Sequence, residues 1–257
     1  FKIYTTMNRN SNATAEIKAD TLDILKSGAI GQAADTGTFA LDIDVATLRL
    51  GNTSTITGAV VIDDIRTGGT TTISGMLATG QAITLASTNA LNITGTILAT
   101  GAAGATGGAG GAINLSTVSG AVTVGAVIRS DGGDDTGDDG PAGAGGDITI
   151  TAGDTTRALL DINALISSDG RVDTSDQVGA YGTITLKGNN IDVGANITGG
   201  VVTMDTDANS SYDILETLTG SVWGNDTAII SADIINITAH IVGDDSVAGG
   251  NETIKVA

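Results

Sequence analysis

Ile93-Thr-Gly-Thr-Ile97, Val124-Gly-Ala-Val-Ile128 and Ile162-Asn-Ala-Leu-Ile166 repeat one short pattern, in which two apolar residues stand four places apart around a small or polar centre. The pattern also occurs at Ile56-Thr-Gly-Ala-Val60, Ile73-Ser-Gly-Met-Leu77, Ile197-Thr-Gly-Gly-Val201, Leu218-Thr-Gly-Ser-Val222 and Ile237-Thr-Ala-His-Ile241. Successive starts lie 17, 20, 31, 38, 35, 21 and 19 residues apart. β-Branched ends around a small residue, usually third, read as one strand motif recurring in a solenoid of short strands and tight turns. Working outward, runs such as Leu41-Asp42-Ile43-Asp44-Val45, Ile83-Thr84-Leu85, Ile113-Asn114-Leu115, Ile148-Thr149-Ile150 and Ile184-Thr185-Leu186 alternate apolar with polar residues, so each puts one face inward. Leu48, Ile65, Leu85 and Ile229 stand eight places before a copy of the pattern, which implies two strands per repeat.

A sandwich or closed barrel supplies many short strands, but it does not require one motif to return once per turn. The expected fold is therefore all-β, a right-handed parallel β-helix of roughly ten coils spaced ~4.8 Å apart, with the hand taken from the crossover rule for parallel strands. Residues 1–257 read as one domain, with a less regular part over 1–40 and long loops over 101–182. The longer intervals hold Gly- and Asp-rich insertions at residues 101–111, 131–146 and 169–182.

Composition narrows the function. The chain has 257 residues, 38 of them Gly, with no Cys, one His and about 2% aromatic residues. Disulfides, thiolate nucleophiles, Cys zinc sites and sites needing two imidazoles are excluded. A net charge of −18 repels phosphate backbones and anionic lipid, so neither nucleic acid nor a membrane is an expected partner. No apolar run reaches the roughly 18 residues of a membrane span. The phosphate-binding Gly-Lys-Ser/Thr loop, Gly-x-Ser-x-Gly and Ser-x-x-Lys are all missing from the sequence.

Together, Gly-Gly-x-Ile-x-Leu, Ile-Thr-Gly-x-Ile and Ile-x-Ser-x-Gly-Gly, in a chain without Cys, resemble the repeats of filamentous-haemagglutinin-type adhesins and giant bacterial surface proteins. The resemblance spans about residues 40–245. It implies an extracellular or cell-surface location and a noncatalytic structural or adhesive role, as the subunit of a surface filament or layer or as a segment of a large adhesin. The alternatives are a carbohydrate-binding module or a calcium-dependent polysaccharide lyase, since the architecture also resembles pectate-lyase-like enzymes. Arg129, Arg157, Arg171 and Lys187 are the basic residues near the acidic loops, and Tyr181, Tyr212 and Trp223 are the aromatic residues of that half. No catalytic residue is assigned.

Calcium takes six to eight oxygens, and the loop holding Asp131, Asp134, Asp135, Asp138 and Asp139 is the densest carboxylate cluster. Asp169, Asp173 and Asp176 fall on the corresponding loop of the next coil. The competing expectation is a solvated loop whose charge opposes aggregation. Nine Asn-x-Ser/Thr sequons occur, at Asn12, Asn52, Asn92, Asn114, Asn196, Asn209, Asn225, Asn236 and Asn251, against roughly three expected by chance. Outward alternation accounts for part of the excess, and glycosylation is the functional alternative. Finally, the 62 residues 67–128 contain no Asp, Glu, Lys or Arg. A lateral contact along such a flank desolvates no charge. With strand-like sequence at residues 1–6 and 253–257, this points to self-association as a head-to-tail fibre.

Overall fold

The computed structural model describes residues 15–25, 28–34, 37–51, 55–137, 142–155, 158–171, 179–206, 221–224, 228–238, 241–242 and 255–256. Among them there is no helix, and 22 strands form one sheet whose pairings are parallel. The two other strands, Gln32–Ala34 and Gly37–Phe39, make an antiparallel hairpin. The fold is a parallel β-helix, and each turn of the chain visits three faces.

Face A stacks Val60–Asp64, Ile83–Ser87, Ile113–Thr117, Ile148–Thr151, Thr183–Lys187, Val201–Asp205 and Ile234–Thr238. Face B stacks Ala90–Ile93, Val122–Val124, Leu159–Ile162, Asn190–Val193, Ser221–Gly224 and Ile241–Val242. Face C consists of strands of two or three residues: Ile97–Leu98, Ile128–Arg129, Ile166–Ser167, Ile197–Thr198, Ile229–Ser231 and Lys255–Val256. In the first turns, single longer strands run across more than one face: Ile17–Ile24, Leu41–Leu50 and Thr70–Leu77. The described strands make nine turns, a stack about 40 Å high at ~4.8 Å per turn. The β-helix thus extends before residue 40, because Ile17–Ile24 is the first turn among the described residues.

Inward side chains stack in columns. Ile83, Ile113, Ile148, Ile184 and Val202 form one on face A, and each is fully buried. On face B, Ile73, Ile93, Val124 and Ile162 line up; on face C, Ile97, Ile128, Ile166 and Ile197 do so. All eight residues of these last two columns are fully buried. Full burial of one such aliphatic side chain stabilises by about 1.5–3 kcal/mol, which is how short strands without helices hold together.

Two details differ from the sequence expectation. Three strands recur per turn, not two, because face C is too short to show alternation. The five-residue pattern also marks two kinds of corner. At Ile93, Val124 and Ile162 it spans the bend from face B to face C, whereas Ile197 sits on face C beneath Ile166 and Val201 on face A beside Thr183. Both corners need small residues, so both produce the same string. Glycines before two of the face A strands are required by close approach. A Cβ on Gly111 would collide with the Gln81 carbonyl of the turn below, and one on Gly146 with the Ser130 hydroxyl. Buried Ser130 and Ser168 donate to the carbonyls of Gly111 at 2.5 Å and Gly146 at 2.6 Å. At another corner the buried Asp64 accepts from Thr71 Oγ1 at 2.5 Å, Ser87 Oγ at 2.9 Å and the Arg66 amide at 3.3 Å. Such donors offset its removal from water.

Candidate functional site

Three consecutive turns leave the stack between face C and face A, and their excursions form a second layer on that edge. Backbone hydrogen bonds join them: Gly101 N–H to Asp131 O at 2.9 Å, Gly133 N–H to Gly108 O at 2.7 Å, Gly132 N–H to Asp169 O at 2.8 Å and Arg171 N–H to Gly143 O at 3.1 Å. A Cβ on Gly143 would run into the Gly108 carbonyl of the neighbouring loop, and one on Gly132 into the Gly143 carbonyl across its own loop. In the described part, these insertions are hydrogen-bonded to one another. Glycine makes this possible because main chains approach where side chains would hold them apart.

The acidic residues of this layer have separate roles. Asp131 is buried, and its Oδ1 accepts from Ser167 Oγ at 2.5 Å and the Asp169 amide at 3.0 Å. Its Oδ2 lies 3.9 Å from Arg129 Nε. Asp134 is exposed and pairs with Arg171 Nε at 3.1 Å. Asp135 is buried and accepts from the Gly137 amide at 2.8 Å, while its other oxygen has no hydrogen-bond partner among the described residues. Burial, then the Asp131 charge, pushes the Asp169 carboxyl above the ordinary aspartate range, opposed by Ser167 and by Arg129 and Arg171. No three Asp, Glu, His or Cys side chains converge as a metal site among the described residues. Asp138, Asp139, Asp173 and Asp176 lie outside the described residues, as do Arg157 and Tyr212.

Of the remaining candidates, Lys187 ends the face A strand Thr183–Lys187, which follows the layer directly. Trp223 lies in the face B strand beside Asp192. The sequons divide in the same way. Asn114, Asn196 and Asn236 are exposed and Asn92 half-buried, all at outward positions; Asn12, Asn52, Asn209, Asn225 and Asn251 lie outside the described residues.

Where the layer ends, the edge of the stack drops. The next two turns pass from face C to face A through only Gly199-Gly200 and Ala232-Asp233, and the resulting step is a groove of about 490 Å³. Its wall is Arg171 and Tyr181 of the last excursion, and its floor includes Thr198, Gly199 and Ser231. Asp134, Asp169 and Asp233 line it as well. Tyr181 is 45% exposed, in a chain with few aromatic residues. Asp233, Thr198 and Ser231 were not legible as site residues, since only the unequal lengths of successive corners place them beside Arg171. No family model, curated protein or solved structure matches this chain.

Proposed function

We propose that the chain is a noncatalytic, extracellular structural or adhesive β-helical protein, a subunit of a surface filament or layer or a segment of a large adhesin, that associates with itself and with cell-surface glycans. The observation that carries this reading is the regular stack with a charge-free flank. Over residues 67–128 the outward positions of faces A and B hold Thr84, Ala86, Asn92, Asn114, Ser116 and Thr123. A neighbouring rod packed there meets a flat sheet surface and desolvates no charge. The resemblance to filamentous-haemagglutinin-type repeats supports the surface location. Outward Asn114, Asn196 and Asn236 are reachable by a glycosylation machinery, and intact-mass measurement of the native protein reads whether they carry sugar.

Electron microscopy and sedimentation over a range of concentrations test assembly. Fibres or concentration-dependent oligomers are expected, and a monomer at every concentration overturns self-association. The second reading, a polysaccharide lyase or carbohydrate-binding module, is favoured by the groove at Arg171, Asp169 and Tyr181. An unsaturated, ultraviolet-absorbing product from uronate polymers would replace the noncatalytic reading with the lyase.

A further inference from the structure

We infer that the step beside Tyr181 is a saccharide-binding groove selective for neutral or amino sugars over uronates; this rests on the adhesive reading above and names the ligand class that its glycan contact takes. Three observations lead there. First, the volume of about 490 Å³ lies within the range of small-ligand sites and suits a short stretch of sugar units. Second, its lining mixes polar groups of both kinds. Arg171 donates, the carboxylates accept, and the Thr198 and Ser231 hydroxyls do both, which is the complement of a polyhydroxylated ligand. Third, Tyr181 stands exposed in the wall with a flat apolar ring, the surface on which the C–H face of a pyranose stacks. Its neighbour in the next turn is Gly200, where a Cβ would crowd the Tyr181 Cβ at 2.9 Å, so the floor beside the ring stays low.

Charge selects among sugars. Three carboxylates face one guanidinium, and Asp134 already pairs with that guanidinium at 3.1 Å. An incoming uronate or sialate would meet the carboxyl groups of Asp169 and Asp233 in a protein of net charge −18. A glucosamine ammonium has carboxylates to accept from it and an aromatic face within the same groove. The floor is small because Gly199 and Ala232 hold no long side chain, so the groove follows from the short corners that succeed the loop layer.

The test is titration calorimetry on the full 257-residue chain with three tetrasaccharides: glucosamine, N-acetylglucosamine and galacturonate. Binding of the first or second, with the third at least about tenfold weaker, is expected. Tyr181→Ala, at an exposed position, should weaken that binding about tenfold, as loss of one aromatic contact does. Asp233→Asn should weaken glucosamine more than N-acetylglucosamine. Equal or tighter binding of galacturonate overturns the selectivity. Unchanged affinity in both variants overturns the groove while leaving the chain a glycan binder by another surface. Absence of heat with all three probes at millimolar concentration overturns the groove, whereas the structural reading is judged separately, by fibre formation.

Discussion

The three-faced stack and the loop layer on its edge solve the same problem, the stacking of successive turns, by opposite means. Inside the stack, columns such as Ile97, Ile128, Ile166 and Ile197 bury aliphatic side chains, and their bulk sets the cross-section. In the layer, the described main chains of the three excursions, residues 99–112, 130–137 with 142–147, and 168–171 with 179–182, touch directly, and the absence of side chains at Gly132 and Gly143 lets each loop fold closely and approach the next. Side-chain burial tolerates many apolar substitutions of similar volume. Backbone-to-backbone packing tolerates none that adds a Cβ. The layer is therefore chemically stricter but holds less of the stability, because it buries little apolar surface.

The largest effect should come from the stack. Ile128→Ala removes a fully buried side chain from the middle of a column and should cost about 2–5 kcal/mol in global unfolding by denaturant. Ile128→Val should cost about 0.5–1.5 kcal/mol. Gly143→Val is the matching break in the layer and should cost about 1–3 kcal/mol through overpacking. Its consequence should be local: hydrogen exchange should rise at the amides of Gly132, Gly133 and Gly143, with those of Val122–Val124 unchanged. Loss of protection in both places would show that the layer and the stack form one cooperative unit.

Asp64→Ala tests whether a buried carboxylate at a corner belongs with the stack. It leaves the Ser87 hydroxyl without its acceptor and the Thr71 hydroxyl with only the Val45 carbonyl at 3.4 Å, and should cost about 1–3 kcal/mol. Asp169 is expected to have a smaller effect, read through pH. Its carboxyl titrates above the ordinary aspartate range because of burial and Asp131, so the protonated form is the one favoured by folding. The stability it contributes is complete below the ordinary aspartate pKa and is lost as pH rises through its raised value. Asp169→Asn should therefore be at least as stable as the parent at neutral pH, with the gap closing on acidification; a gap independent of pH would contradict this. The smallest effect is expected from calcium, because Asp131 and Asp134 already have partners. Millimolar calcium against EDTA should raise Tm only slightly, and a rise of several degrees would show that the layer binds the ion.

The alternation at Ile83-Thr84-Leu85 and Ile148-Thr149-Ile150 determined the inward faces without any coordinates, because a strand's side chains alternate and burial selects one set. The recurrence of Ile-x-x-x-Ile around a small residue likewise determined that turns stack, and the copies beginning at Ile93, Val124 and Ile162 have both apolar ends fully buried. What the string left open was which corner each copy marks. Ile162-Asn-Ala-Leu-Ile166 and Ile197-Thr-Gly-Gly-Val201 look alike, and only parallel pairing placed Ile197 under Ile166. Acidic residues next to glycine gave a loop but not its state. Whether Asp131 is solvated or sealed by Ser167, 36 positions away, depends on how consecutive excursions overlap. The groove was invisible for the same reason. Its wall at Arg171 and Tyr181 and its floor at Thr198 and Ser231 come from different turns, and they meet only because one corner is long and the next two are short. Local periodicity is set by interactions along the strand and can be read in order; contacts across turns depend on accumulated length differences, which only the folded stack resolves.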